Sequence, residues 1–159
     1  MRGTGNKMYN QSQTVSTQNL EMLAGLLGML RALKWNYWNS HWMASGSPYY
    51  GDHLLFQRLY SETIDEQIDT LAEKITTYNQ SVLSNNVMRN AFNSFLDRHS
   101  NNNSFERGLS MESHFQSAVK SVYSSLKNSN ELSLGMDDFL MATASERETS
   151  IYLLKQRTR

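Results

Sequence analysis

His41 and His53, two of only four histidines in the chain, stand twelve residues apart on either side of a Ser-Gly-Ser-Pro segment at 45–48. Glu62, Asp65, Glu66, Asp69 and Glu73 follow within 20 residues of His53. Asp69 and Glu73 are four residues apart, so on a helix both carboxylates project from one face, one turn from each other. Imidazole and carboxylate without thiolate is a ligand set suited to iron, manganese or zinc. Carboxylate-rich sites in four-helix bundles are where paired iron ions are held. The same residues also fit a plainer description, an acidic face turned to water and histidines ending two helices. Spacing alone leaves both readings open.

The elements that must carry these residues are legible as helices. Leu20, Leu23, Leu27, Leu30 and Leu33 recur at helical spacing. They predict a first helix from about residue 17 to about residue 44, with Thr17 and Gln18 before Glu21 as a weak cap. The glycine and proline at 46 and 48 stop it. A second helix is expected from Asp52, as N-cap, to about residue 79. Val87, Met88, Phe92, Phe95 and Leu96 predict a short helix within the connection 84–103. A third long helix over about 105–127 turns Leu109, Phe115, Val119, Val122 and Leu126 inward. A fourth over about 134–155 does the same with Leu140, Ala144, Ile151 and Leu154. No internal repeat is present. The pattern is an all-α four-helix bundle with one long crossover that carries a short extra helix.

Composition narrows the chemistry. The 159 residues fit one domain. Without a single cysteine, disulfide scaffolds, zinc-thiolate sites, iron–sulfur clusters and thiol nucleophiles are excluded. Fifteen basic and fifteen acidic residues cancel, so no global positive field draws the protein to nucleic acid. No stretch reaches the roughly 18 apolar residues of a membrane span. The first residues lack the basic-then-apolar order of a secretory signal, which makes a cytoplasmic protein the expectation.

The His41-Trp42 pair, the loop Ala44-Ser45-Gly46-Ser47-Pro48-Tyr49-Tyr50, His53, and Asp69-x-x-Ala72-Glu73-Lys74 together resemble the Dps family, the DNA-protection-during-starvation proteins or mini-ferritins. The motif stretch covers about 35 residues, and the order of helices matches over about 17–156. Residues 1–16 are polar and without apolar periodicity and read as a flexible tail, and the resemblance implies a ferritin-like four-helix bundle domain at 17–156. It implies a ferroxidase that oxidises Fe(II) with peroxide or dioxygen, stores ferric mineral inside a homo-oligomeric shell of twelve, and protects against oxidative damage. The iron pair would lie across a twofold subunit interface. His41 and His53 would come from one subunit, Asp69 and Glu73 from its partner, with His41, Asp69 and Glu73 binding the tighter iron. Trp42 would match the tryptophan near the iron and serve as an electron donor; a packed helix-end aromatic is its plainer reading. Two other classes remain open, a metal-free shell protein and a DNA-compacting protein with secondary iron chemistry.

Three departures from the pattern bear on this. Gln57 stands where the family has an Asp four residues after the second histidine, so a neutral amide oxygen replaces an anionic ligand and the second iron should bind more weakly. Lys74 replaces an arginine and loses its bidentate fork. The interval from His53 to Glu73 is one residue longer than usual. Counting about 100° per residue from His53 turns Leu55, Phe56 and Leu59 to roughly 200–300°, but Ile64, Ile68, Leu71 and Ile75 to roughly 0–60°. One straight helix cannot bury both sets. A π-bulge with an i→i+5 bond within about residues 58–67 would merge them and carry Asp69 and Glu73 to the side of His53 and Gln57. The alternative places the extra residue before Asp52 and displaces His53.

Other residues carry weaker signals. His99 and His114 have no partner evident in the sequence and read as structural or surface residues. Trp35, Tyr37 and Trp38 read as packing at a bundle end or subunit contact. Glu131, Asp137 and Asp138 precede or open the fourth helix, where they suit the positive end of its dipole; the resemblance implies instead a pore that admits cations. Arg2 and Lys7 are the only cations of the tail, and Lys155, Arg157 and Arg159 close the chain, so DNA binding is expected to be weak or absent.

Overall fold

A serine opens the first helix. Ser16 Oγ accepts a hydrogen bond from the Asn19 amide at 3.3 Å, so Ser16, rather than Thr17 or Gln18, caps α1 (Thr17–Met43). The computed structural model describes residues 14–62, 64–79 and 86–159. Most of the expected tail, residues 1–13, therefore lies outside the described residues, whereas Val15 already packs on the core. The five predicted leucines of α1 are all buried, and so are Ala24, Leu26 and Ala32 on its other sides. α1 is apolar nearly all round because it is the central helix, touching every other helix but the last at length.

Gly46, at φ +80°, makes the turn that ends this helix. α2 (Tyr49–Ser61) starts directly after Pro48, four residues earlier than a cap at Asp52 would place it. Asp52 is therefore not its cap. The Asp52 carboxylate instead takes a two-pronged ion pair from Arg157, with Nε at 2.7 Å and Nη2 at 3.1 Å.

The expected second helix is two helices. α2 closes with a regular bond from the Glu62 amide to the Arg58 carbonyl at 3.3 Å, and α3 (Ile64–Tyr78) begins two residues later. The expected i→i+5 bond falls across residue 63, which lies outside the described residues; no i→i+5 turn occurs among the described residues of 58–67. Phe56 and Leu59 of α2 share one core with Ile64, Leu71 and Ile75 of α3.

The crossover holds α4 (Asn86–Arg98), packed lengthwise on α1. Gly28 permits that approach, since a Cβ there would collide with the Met88 carbonyl oxygen and sit 3.1 Å from the Phe92 amide nitrogen. α5 (Ser104–Asn128) is capped by Asn103, whose side chain accepts from the Phe105 and Glu106 amides. α6 (Leu134–Arg157) is capped by Ser133. α1, α2–α3, α5 and α6 form the bundle, with α4 in the single long connection. On α6 the buried stripe is not the expected one. Leu140 and Leu154 are inside, but Thr143, Arg147 and Ser150 take the positions between them and Ile151 is only half-buried.

Candidate metal centre

The turn between α1 and α2 folds the two motif histidines onto each other. Their rings stack with centroids 3.6 Å apart at 26°. His41 Nδ1 lies 2.9 Å from the His53 carbonyl oxygen, and His53 Nδ1 lies 3.1 Å from the His41 carbonyl oxygen. A carbonyl oxygen only accepts, so each Nδ1 carries the proton and donates it. Nε2 is then the atom that each ring can offer a metal. A histidine whose Nδ1–H is held by a backbone carbonyl is oriented as metal-binding histidines are. The reciprocity is a consequence of the helical hairpin, which sets the last turn of α1 against the first turns of α2.

Aromatic rings continue from this pair. Tyr60 meets His41 edge-on at 5.5 Å, Trp38 lies 6.1 Å from Tyr60, and Trp42 lies 5.1 Å from Trp38. Trp42 itself is 57 % exposed. With Trp35, Tyr49, Tyr50 and Leu54 also exposed, this end of the hairpin carries a broad apolar surface.

The carboxylates are sorted by the structure. Glu62 pairs with Arg58 at 3.2 Å, and Asp65 pairs with Lys34. Asp69 and Glu73 lie one turn apart on the exposed face of α3, as their spacing predicts, with no side-chain partner among the described residues. Gln57 is exposed on α2, one turn after His53. Within one chain, no three histidine, aspartate or glutamate side chains gather among the described residues. The structure thus brings His41 to His53 and keeps Asp69 with Glu73, but does not join the two pairs in a single chain.

Three polar groupings escaped the sequence reading. Inside the bundle, Arg147 Nη1 reaches Glu112 Oε1 at 3.3 Å, and the Tyr37 hydroxyl donates to the same oxygen at 2.7 Å. All three residues are fully buried. Burial pushes the Glu112 carboxyl above its ordinary range, against the opposing pull of Arg147 and the Tyr37 hydrogen bond. Burial, with the charge of Glu112, likewise holds the Tyr37 phenol well above its usual value. The inward stripe of α6 was the available signal, since Thr143, Arg147 and Ser150 follow helical spacing. Tyr37 is thus a core residue and not a bundle-end contact.

His99 and His114 are the second grouping, and they are each other's partners, with Nε2 of the first 3.0 Å from Nδ1 of the second. Burial foremost, then the neighbouring His114 and Arg98, keeps His99 below the usual imidazole range, and burial with Arg98 does the same for His114. The third grouping is at Glu131. Its carboxylate accepts from the Ser16 amide, the Ser16 hydroxyl and the Asn19 side chain, tying the start of α1 to the turn before α6. The Asn19 hydrogen bond foremost holds that carboxyl below its ordinary range.

No protein-family model matches the chain, and no curated relative does. Among solved structures, the chain is similar to a C-terminal deletion mutant of Mycobacterium smegmatis Dps, with 18 % identity and a TM-score of 0.72. The match covers 90 % of this chain and 98 % of that one. The architecture is accordingly an all-α, ferritin-like bundle. It has one long crossover with a short helix, α4, within it. No helix among the described residues is long and apolar enough to cross a membrane.

Proposed function

We propose that the chain is an iron-binding ferroxidase whose site forms between two copies of itself. The observation that carries this reading is the reciprocal lock of His41 and His53, whose Nδ1 atoms both face backbone carbonyls, so that Nε2 is the atom each ring offers a metal. Two oriented imidazoles lack the anionic ligands that an oxidised iron pair requires. Asp69 and Glu73, a turn apart on an exposed face and without a side-chain partner among the described residues, supply them from a second chain. Gln57 adds only a neutral oxygen beside His53, so the second iron is the looser one. The apolar surface at Trp35, Trp42, Tyr50 and Leu54 gives two such hairpins an area to bury against each other.

Fe(II) is the substrate, and peroxide or dioxygen is the oxidant. The residues bind two ions side by side and neutralise charge as the oxidant is reduced. Trp42, in ring contact with Trp38, stands as an electron donor that limits radical escape. The product would be stored as ferric mineral in a closed homo-oligomer, a dodecamer in the Dps arrangement, in the cytoplasm and in defence against oxidative stress.

The test is Fe(II) titration with hydrogen peroxide, followed by absorbance of the ferric-oxo band. Oxidation should saturate at a fixed ratio of iron to chain, and His41→Ala or Asp69→Asn should slow it at least tenfold. Unsaturable oxidation that neither substitution alters would leave a structural shell protein as the better reading.

A further inference from the structure

The two histidines outside the candidate centre meet where α4 ends and α5 runs past it. His99 Nε2 and His114 Nδ1 face each other at 3.0 Å, and Phe95 lies against both rings at 5.0 and 5.1 Å. Phe95 is buried, so it fixes the two rings from the core side, while both imidazoles remain partly exposed to solvent. We propose that His99 and His114 form a surface site for one divalent transition metal of the imidazole-preferring kind, Zn2+, Ni2+ or Cu2+, with water completing the coordination.

Geometry and proton bookkeeping both favour it. Zinc–nitrogen bonds of about 2.0–2.1 Å at a tetrahedral angle place two nitrogens about 3.3–3.4 Å apart. The nitrogens must separate by a few tenths of an ångström, and each partly exposed ring must turn so that its lone pair points off the N···N line to the metal. In the metal-free pair one ring N–H bridges to the other ring's lone pair, and the metal takes that bridging position. If the bridging proton is on His99 Nε2, it moves on metal binding to His99 Nδ1, which lies 3.0 Å from Ser110 Oγ; if it is on His114 Nδ1, it moves to His114 Nε2. A serine hydroxyl donates to a bare nitrogen and accepts from an N–H, so Ser110 holds His99 in either tautomer. The opposing feature is Arg98, whose positive charge both imidazoles feel. It weakens the site without blocking it. The ligand set is imidazole only, which suits these metals and sets the site apart from the mixed histidine and carboxylate set proposed for iron.

The experiment uses the chain carrying His41→Ala and His53→Ala, in which His99 and His114 are the only histidines left. Cu2+ is titrated and followed by electron paramagnetic resonance. The expected result is one copper per chain with hyperfine structure from two nitrogens. His99→Gln or His114→Gln, which keeps hydrogen-bonding capacity, should remove the two-nitrogen signal, and Arg98→Gln should tighten copper binding several-fold. In the otherwise unaltered chain, His114→Gln should lower the copper bound by one per chain. A parent without the two-nitrogen signal, or a signal that survives either glutamine substitution, overturns the proposal.

Discussion

Replacing Arg147 by Met should unmask the energetics of the buried ion pair. The guanidinium and the Glu112 carboxylate are both fully buried and 3.3 Å apart, and the remaining donor to that oxygen is the neutral Tyr37 hydroxyl. Removing the cation leaves a carboxylate in the core with one neutral hydrogen bond, which costs about 3–5 kcal/mol. For a chain of this size, about 2–4 °C per kcal/mol converts that to a fall of about 6–20 °C in Tm.

The sign of the pH dependence follows from Glu112. Burial already raises its folded-state pKa, and Arg147 is the charge that pulls it down, so Arg147→Met raises it further. A raised pKa means that the folded state holds the proton more tightly than the unfolded one. The stability this lends is full below the unfolded carboxylate range and is lost as pH climbs through the folded value. The penalty of Arg147→Met is therefore largest near neutrality and shrinks on acidification. The double variant Glu112→Leu/Arg147→Met should recover most of the loss, because paired removal leaves no orphan charge. Thermal unfolding followed by circular dichroism at fixed chain concentration, at about pH 7 and about pH 5, reads all three quantities. The reasoning is refuted by a loss under about 1 kcal/mol at neutral pH, by a loss independent of pH, or by a double variant no better than the single.

Gln57→Asp should return an anionic ligand beside His53 and increase the affinity for the second iron; a calorimetric titration in which both iron steps are unchanged contradicts it. Gly28→Ala drives a methyl group against the Met88 carbonyl and the Phe92 amide, so α4 must shift off α1 at a cost of about 1–3 kcal/mol, read by urea unfolding. DNA retention should be absent near about 150 mM salt, because affinity scales with the phosphate contacts made and Asp52 already engages Arg157 at the basic C-terminus; a retarded band in that buffer contradicts it.

How far the sequence reached differs between elements for physical reasons. The leucine repeat of α1 and the Gly46–Pro48 stop were legible because periodicity and chain geometry are local. The resemblance drew His41 and His53 into one site, and the hairpin turn carries them there, though their exchange of carbonyl bonds was not foreseen. The angular count shows that the apolar positions before and after about residue 61 cannot lie on one straight helix, and the chain forms α2 and α3 there. A bulge and a break both shift phase, and local sequence does not tell them apart. On α6 an apolar Ile151 outranked Arg147 because a buried arginine is unreadable until Glu112, 35 residues away, is placed opposite it. His99 and His114 stayed unpaired on paper because the turn that joins them falls between two helices. Asp69 and Glu73 were legible as a pair, and a single chain does not bring them to the histidines.

The central claim is that iron binds where His41 and His53 of one copy meet Asp69 and Glu73 of another. Anomalous diffraction at the iron absorption edge, from crystals soaked in Fe(II), locates the metal without assuming a ligand. The account predicts a peak at the twofold contact, within bonding distance of His41 Nε2 and of the Asp69 and Glu73 carboxylates of the neighbouring copy, with a weaker second peak beside His53 and Gln57. Iron found only at other residues, or twofold-related copies whose His41 and Asp69 lie too far apart to share an ion, would contradict it.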